Sequence, residues 1–202
     1  MGAFLFGLNF VSVVWVRVLS GTIKTMETSF DRLLEKYPDT EIRSVRQELD
    51  AATFEVQQRK HEQKQAEGGA IGVVWLGSDK VVLARRTQKL HPGWSLLGGT
   101  VERDQDFDDA FIREALEESG MRIRIVRLAI AERKIFISPE GRELPMNLAV
   151  FETAVLPGEV IIATPEAKVE GLEVEAFALD ALPPEMILAD REKLDLIISQ
   201  RL

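Results

Sequence analysis

Glu114, Glu117 and Glu118 stand at i, i+3 and i+4 in a stretch, Arg113-Glu-Ala-Leu-Glu-Glu, built mostly from good helix formers. On a helix that spacing crowds three carboxylates onto one face, where like charges repel. A hard divalent cation with oxygen ligands relieves the repulsion, and Mg2+ is typically held by one or two carboxylates together with substrate phosphates. A solvent-facing Glu cluster is the simpler alternative on propensity alone. Three neighbours weigh against it. Gly98-Gly99 lies upstream, where backbone can approach a ligand closely; Arg113 directly precedes the carboxylates; and Gly120 stops the helix behind them.

These residues need elements to hold them. Phe107, Ala110, Phe111 and Ala115 give residues 106–119 a buried helical face. Ahead of it, AIGVVWL (70–76) and VVLAR (81–85) read as strands joined by Gly-Ser-Asp-Lys, a hairpin pattern. The run His91-Pro-Gly-Trp-Ser-Leu-Leu-Gly-Gly is loop-rich with an apolar centre. Further strands are expected at 122–130, 132–138, 147–154 and 173–179, with a turn at Pro139-Glu-Gly-Arg. A last helix is expected to start at Pro183-Pro184 and to bury Leu188, Leu194, Ile197 and Ile198. Strands around a helix, then more strands and a terminal helix, make a mixed α/β or α+β layered domain of roughly 130 residues.

Upstream, residues 28–36 suggest a short amphipathic helix that stops before Pro38. A second helix is expected from Asp39 or Thr40, with a narrow stripe of Ile42, Val45, Leu49, Ala52 and Val56. It would run through the polar QQRKHEQKQAE to Gly68-Gly69, read as a helix stop and a domain boundary. The stripe suits an arm packed on the following domain; a dimerisation helix, and hence a homodimer, is the sharper reading. The chain thus divides into an apolar segment 1–25, a helical extension 26–68 and a main domain 69–202.

The apolar segment admits three readings. Met26 could be the natural start, residues 10–18 could form a packed or partner-binding strand, and residues 3–19 are a candidate membrane contact. The run falls short of the about 20 apolar residues that a spanning helix needs, and Arg17 interrupts it.

Composition narrows the chemistry. With 25 Lys plus Arg against 33 Asp plus Glu, the net charge is −8, which argues against binding nucleic acid through massed positive charge. The absence of cysteine excludes disulfides, zinc-thiolate and iron–sulfur sites, and a cysteine nucleophile. Two histidines leave little for a histidine-rich metal site. Carboxylates are the abundant reagent.

The segment from Gly99 to Met121 resembles the signature box of the Nudix hydrolases: Gly, five residues, Glu, seven residues, then Arg-Glu-aliphatic-x-Glu-Glu-x-Gly-aliphatic. Gly99, Arg113, Glu114, Glu117, Glu118, Gly120 and Met121 fall in register, with Ala115 at the first aliphatic position. Gln105 replaces the first box Glu, and Leu97 stands where a proline often precedes Gly-Gly. The resemblance implies an α/β/α sandwich with a mixed sheet. It also implies a cytoplasmic enzyme that uses Mg2+ or Mn2+ to cut the pyrophosphate of a nucleoside diphosphate derivative of nucleotide, ADP-ribose or nucleotide-sugar type, by attack of a metal-bound water.

Residue by residue, the resemblance makes Glu114, Glu117 and Glu118 metal ligands, and Glu117, Arg113 and Glu170 the catalytic set. Glu170 is there as a candidate general base from a later loop, with Glu173 the alternative. Arg85, Arg86, Gly98 and Gly99 would bind the anionic substrate, with Lys89 and Arg103 nearby. Trp94 is read as core. A Nudix-like nucleotide-binding or sensor module, with Gln105 and Leu97 marking a box of weak or no turnover, is the alternative function.

Overall fold

A long β-ladder organises the molecule, because its strands carry apolar residues on both sides and so need cover above and below. The computed structural model describes residues 12–14, 28–88 and 93–201. Its strands are β1 (Ser12–Val14), β2 (Ile42–Glu48), β3 (Gly68–Leu76), β4 (Lys80–Arg86), β5 (Leu97–Val101), β6 (Ile123–Ile137), β7 (Glu143–Val155) and β8 (Leu172–Ala178). Its helices are α1 (Ser29–Lys36), α2 (Ala51–Lys64), α3 (Phe107–Ser119), α4 (Pro165–Val169) and α5 (Leu188–Ser199). The strands join in one mixed sheet in the order β1-β2-β6-β7-β3-β4-β8, with β5 pairing the first half of β3. β2 with β6 and β3 with β7 are parallel; the remaining pairs are antiparallel.

Two cores result. On one face α3 and α1 cover the sheet with Phe30, Leu33, Phe107 and Phe111, which meet Leu128, Ala131 and Phe151. Phe111 stacks on Phe151 at 5.5 Å between ring centroids. The helix comes this close because β3 presents bare backbone: a Cβ on Gly72 would lie 2.4 Å from the Phe111 ring. On the other face α5 buries Leu194 and Ile197 against Val73, Trp75, Ile130 and Val150. Helices on both sides of a mixed sheet are the expected α/β/α sandwich.

Several expectations need correction. Residues 39–56 are not one helix. Residues 42–48 form β2, paired in parallel with β6 from Ile42↔Ala131 to Glu48↔Ile137, and their burial alternates about Val45 as a strand's must. The helix begins only at Ala51, where the Asp50 side chain accepts from the Thr53 N–H at 2.9 Å. Of its described residues only Phe54 is buried, so the stripe through Leu49, Ala52 and Val56 does not exist. α2 ends at Lys64 on Gln65 in the left-handed region, and Gly68-Gly69 open β3 instead of stopping a helix. The stretch before the box is therefore not a purely helical extension, since β2 lies within the sheet and α1 within its core.

The last helix starts at Leu188, not at Pro183, and Leu188 is 72% exposed. One strand, β6, replaces the two expected at 122–130 and 132–138, bending at irregularities between Ile125 and Arg127 and between Leu128 and Ile130. Of the apolar segment, Ser12–Val14 pair with β2. The proposed start at Met26, the remainder of the candidate membrane contact at 3–19, Lys89 and His91 lie outside the described residues. Among the described residues no helix is long and apolar enough to cross a membrane.

Candidate active site

The end of β5 and the outer face of α3 meet through two glycines. Gly98 has φ +133°, and a Cβ there would stand 2.2 Å from the Ala70 carbonyl oxygen, so this backbone excludes any side chain. Its N–H donates to Glu118 Oε2 at 2.9 Å. At Gly99 a Cβ would sit 2.5 Å from the Glu114 carboxyl carbon. The bare glycine strand thus gives two helix carboxylates room against backbone. α3 stops on time because Gly120, at φ +72°, caps it and donates to the Leu116 carbonyl.

Glu118 is 5% exposed, and its carboxyl is pushed up to about 8. Burial is the largest cause; the Gly98 N–H and Arg86 oppose it, and the charges of Glu114 and Glu170 add to the rise. Arg113 donates to Glu114 at 2.9 Å and to Glu117 at 2.7 Å. Burial works against the Arg113 charge, yet the two carboxylates hold its guanidinium above the ordinary arginine range.

A second wall comes from α4. The Thr164 hydroxyl caps this helix by accepting from the Ala167 N–H at 3.0 Å and donates to the Glu117 backbone carbonyl. At the other end Glu170 accepts from Arg86 at 2.7 Å, and the same guanidinium lies 3.7 Å from Glu118. Beside Arg113 and Glu114 an open cleft of about 340 Å3 is lined also by Lys64, Glu102, Arg103 and Gln105. Gln105 Oε1 accepts from the Glu102 N–H at 3.4 Å, while Arg113 is engaged by Glu114 and Glu117.

The structure therefore brings together Gly98, Gly99, Glu114, Glu117, Glu118, Arg113, Arg86 and Glu170. It separates Arg85. Neighbouring residues on a strand face opposite sides, and Arg85 lies 4.7 Å over the Trp94 ring on the α5 face, paired with Glu173. Glu173 is accordingly a β8 residue and not a loop residue beside the box. Trp94 is core, edge-on to Phe177. Thr164 is the positioning residue that sequence reasoning missed, although Thr164-Pro165 is a readable helix start.

Among the described residues no three carboxylates or imidazoles already converge as a metal-holding group, and Arg113 pairs with both Glu114 and Glu117. The donor chemistry nevertheless suits a hard cation: carboxylate oxygens lie on one helix, and buried Glu118 has its charge opposed by its surroundings.

A glycine strand end with an Arg-Glu-x-x-Glu-Glu helix laid against it, in an α/β/α sandwich, defines the apparatus of a Nudix pyrophosphohydrolase. The family model described as NUDIX domain matches residues 66–196, and the chain belongs to that family. No curated protein sequence matches the chain. Among solved structures, a NUDIX hydrolase from Nitrosomonas europaea is similar at 19% identity over 67% of this chain and 72% of that one, with a TM-score of 0.48. A MutT NUDIX hydrolase from Burkholderia pseudomallei is similar at 22% identity over 65% and 97%, TM-score 0.48. An ADP-ribose pyrophosphatase from Streptococcus suis is similar at 20% identity over 66% and 90%, TM-score 0.47.

Proposed function

We propose that the protein hydrolyses the pyrophosphate bond of a nucleoside diphosphate derivative, of nucleotide, ADP-ribose or nucleotide-sugar type, with Mg2+ or Mn2+ held by Glu114, Glu117 and Glu118. The observation that carries this is the burial of Glu118 against the Gly98 N–H, with Glu114 seated on Gly99 and Arg86 beside them. A divalent cation supplies charge compensation for the phosphates and a more acidic water.

The chain's own residues do the rest. Gly98 and Gly99 seat the Glu118 and Glu114 carboxylates against backbone at the substrate side, and Arg86 offers a phosphate group a guanidinium. Arg113 keeps Glu114 and Glu117 in place. Glu170, more exposed than Glu118 and aligned by Arg86, is the group placed to take a proton from an attacking water; Glu117 is the alternative on the helix. Arg85 has no part in this arrangement.

Incubation with a panel of nucleoside diphosphate derivatives, with Mg2+ or Mn2+ and then with chelator, tests the reading. Metal-dependent release of a nucleoside monophosphate is expected from at least one substrate class. Tight nucleotide binding without product would favour the binding-module alternative instead.

A further inference from the structure

Helix α1 lies wholly before residue 66, where the family match begins, yet it is seated on the entry to the box. Phe30 meets Phe107 edge-on at 5.2 Å between ring centroids, Arg32 pairs with Asp106 at 2.9 Å, and Lys36 pairs with Asp108. Ser29, the first residue of α1, is buried, and both its N–H, at 3.2 Å, and its hydroxyl donate to Glu67 Oε2. The other oxygen of that carboxylate, Oε1, accepts from the Asp104 N–H at 3.4 Å. Glu67 thus ties α1 to the loop that opens the box.

Asp104 stands at φ +63°, in the left-handed region that a residue with a side chain enters only at a cost. Among the described non-glycine residues only Gln65, which caps α2, shares that conformation. The turn matters because Asp104 sits between Arg103 and Gln105, and all three line the cleft beside Arg113 and Glu114. Reversing the sign of φ at one residue re-aims its neighbours, so the carboxylate that holds Asp104 also sets where Arg103 faces. Arg103 pairs with no carboxylate among the described residues, which leaves its guanidinium for an anionic substrate. Fastening α1 alone would not need this arrangement. Phe30, Arg32 and Lys36 already hold the helix, and Ser29 uses one carboxylate oxygen while the loop takes the other.

We infer that Glu67 and Ser29 are positioning residues for the hydrolysis proposed above, on which this reading rests: Ser29 aims the Glu67 carboxylate, and Glu67 holds Asp104 in the turn that presents Arg103 to the substrate.

Initial rates on the substrate that the native chain turns over, together with amide hydrogen exchange at Asp104, test this. Glu67→Ala should raise KM about tenfold, leave kcat within about twofold, and speed exchange at the Asp104 amide. Ser29→Ala should do the same more weakly, and it carries the test if Glu67→Ala does not fold. Glu67→Gln keeps an acceptor oxygen for Asp104 and should recover most of the lost KM. Asp104→Gly, free to adopt positive φ, should recover much of it within Glu67→Ala. A carboxylate that only fastened α1 would lower Tm, leave KM unmoved and gain nothing from Asp104→Gly. An active native chain whose KM and Asp104 exchange are insensitive to Glu67→Ala and Ser29→Ala overturns this inference alone. No product from the native chain overturns the hydrolytic reading and this inference with it.

Discussion

Glu118 meets two opposed demands: α3 buries its carboxyl, and the proposed metal ligation needs it charged. Without metal the folded protein favours the protonated acid, with the group at about 8 against 4.5 in the unfolded chain. The folded state therefore holds the extra proton between those values. The stability this contributes is fully present below 4.5 and is lost as pH rises toward 8. In chelator, the urea midpoint should fall across that window for the native chain and stay nearly flat for Glu118→Gln; parallel profiles would contradict the buried-acid account. Gly99 makes a complementary case. In Gly99→Ala the atoms nearest the new Cβ belong to the flexible end of Glu114, so the chain should fold with little change in Tm. Activity should nonetheless fall about tenfold to a hundredfold, since small misplacements at a site are costly. Unchanged kcat would show that Glu114 need not lie on this strand. At this scale the box was readable because its spacing is specific, whereas the Arg85–Arg86 pair was over-read. Strand alternation lets only one of two successive residues face the box, and only pairing with β8 shows which.

Among the elements, α4 is the small part with a large role. It hangs from the end of α3 by the Thr164 hydroxyl and presents Glu170 to Arg86. Thr164→Ala removes both the cap and this tether. It should cost about 1 kcal/mol of stability and lower kcat several-fold, with KM less affected, as measured by urea melts and initial rates. A loss of stability with unchanged kcat would make α4 a structural bracket only. The strand-helix-strand unit around the box was legible because Phe107, Ala110, Phe111 and Ala115 keep helical period and 70–76 and 81–85 carry apolar runs. β2 was not. Its sequence, Ile-Arg-Ser-Val-Arg-Gln-Glu, buries one apolar residue, and its strand state comes from seven-residue pairing with a partner over 80 positions away. Local propensity does not carry that information.

For the whole molecule, charge sets the terms of encounter. A chain of −8 repels an anionic substrate at long range, while Arg86 and the Lys64 and Arg103 side chains of the cleft offer positive charge locally. Raising monovalent salt from about 0.02 to 0.2 M at fixed Mg2+ should raise kcat/KM modestly and leave kcat unchanged, because screening acts on encounter. A steep fall would instead indicate a positively charged approach path. The central claim is that Glu118 of α3, buried against the glycine strand, makes this box a hydrolase. It is tested most directly by 31P NMR of nucleoside diphosphate substrates with Mg2+, comparing the native chain with Glu118→Gln. Product is expected from the native chain, with a rate at least about a hundredfold lower in the variant. Equal rates in the two, or no product from either across all three substrate classes, would contradict it.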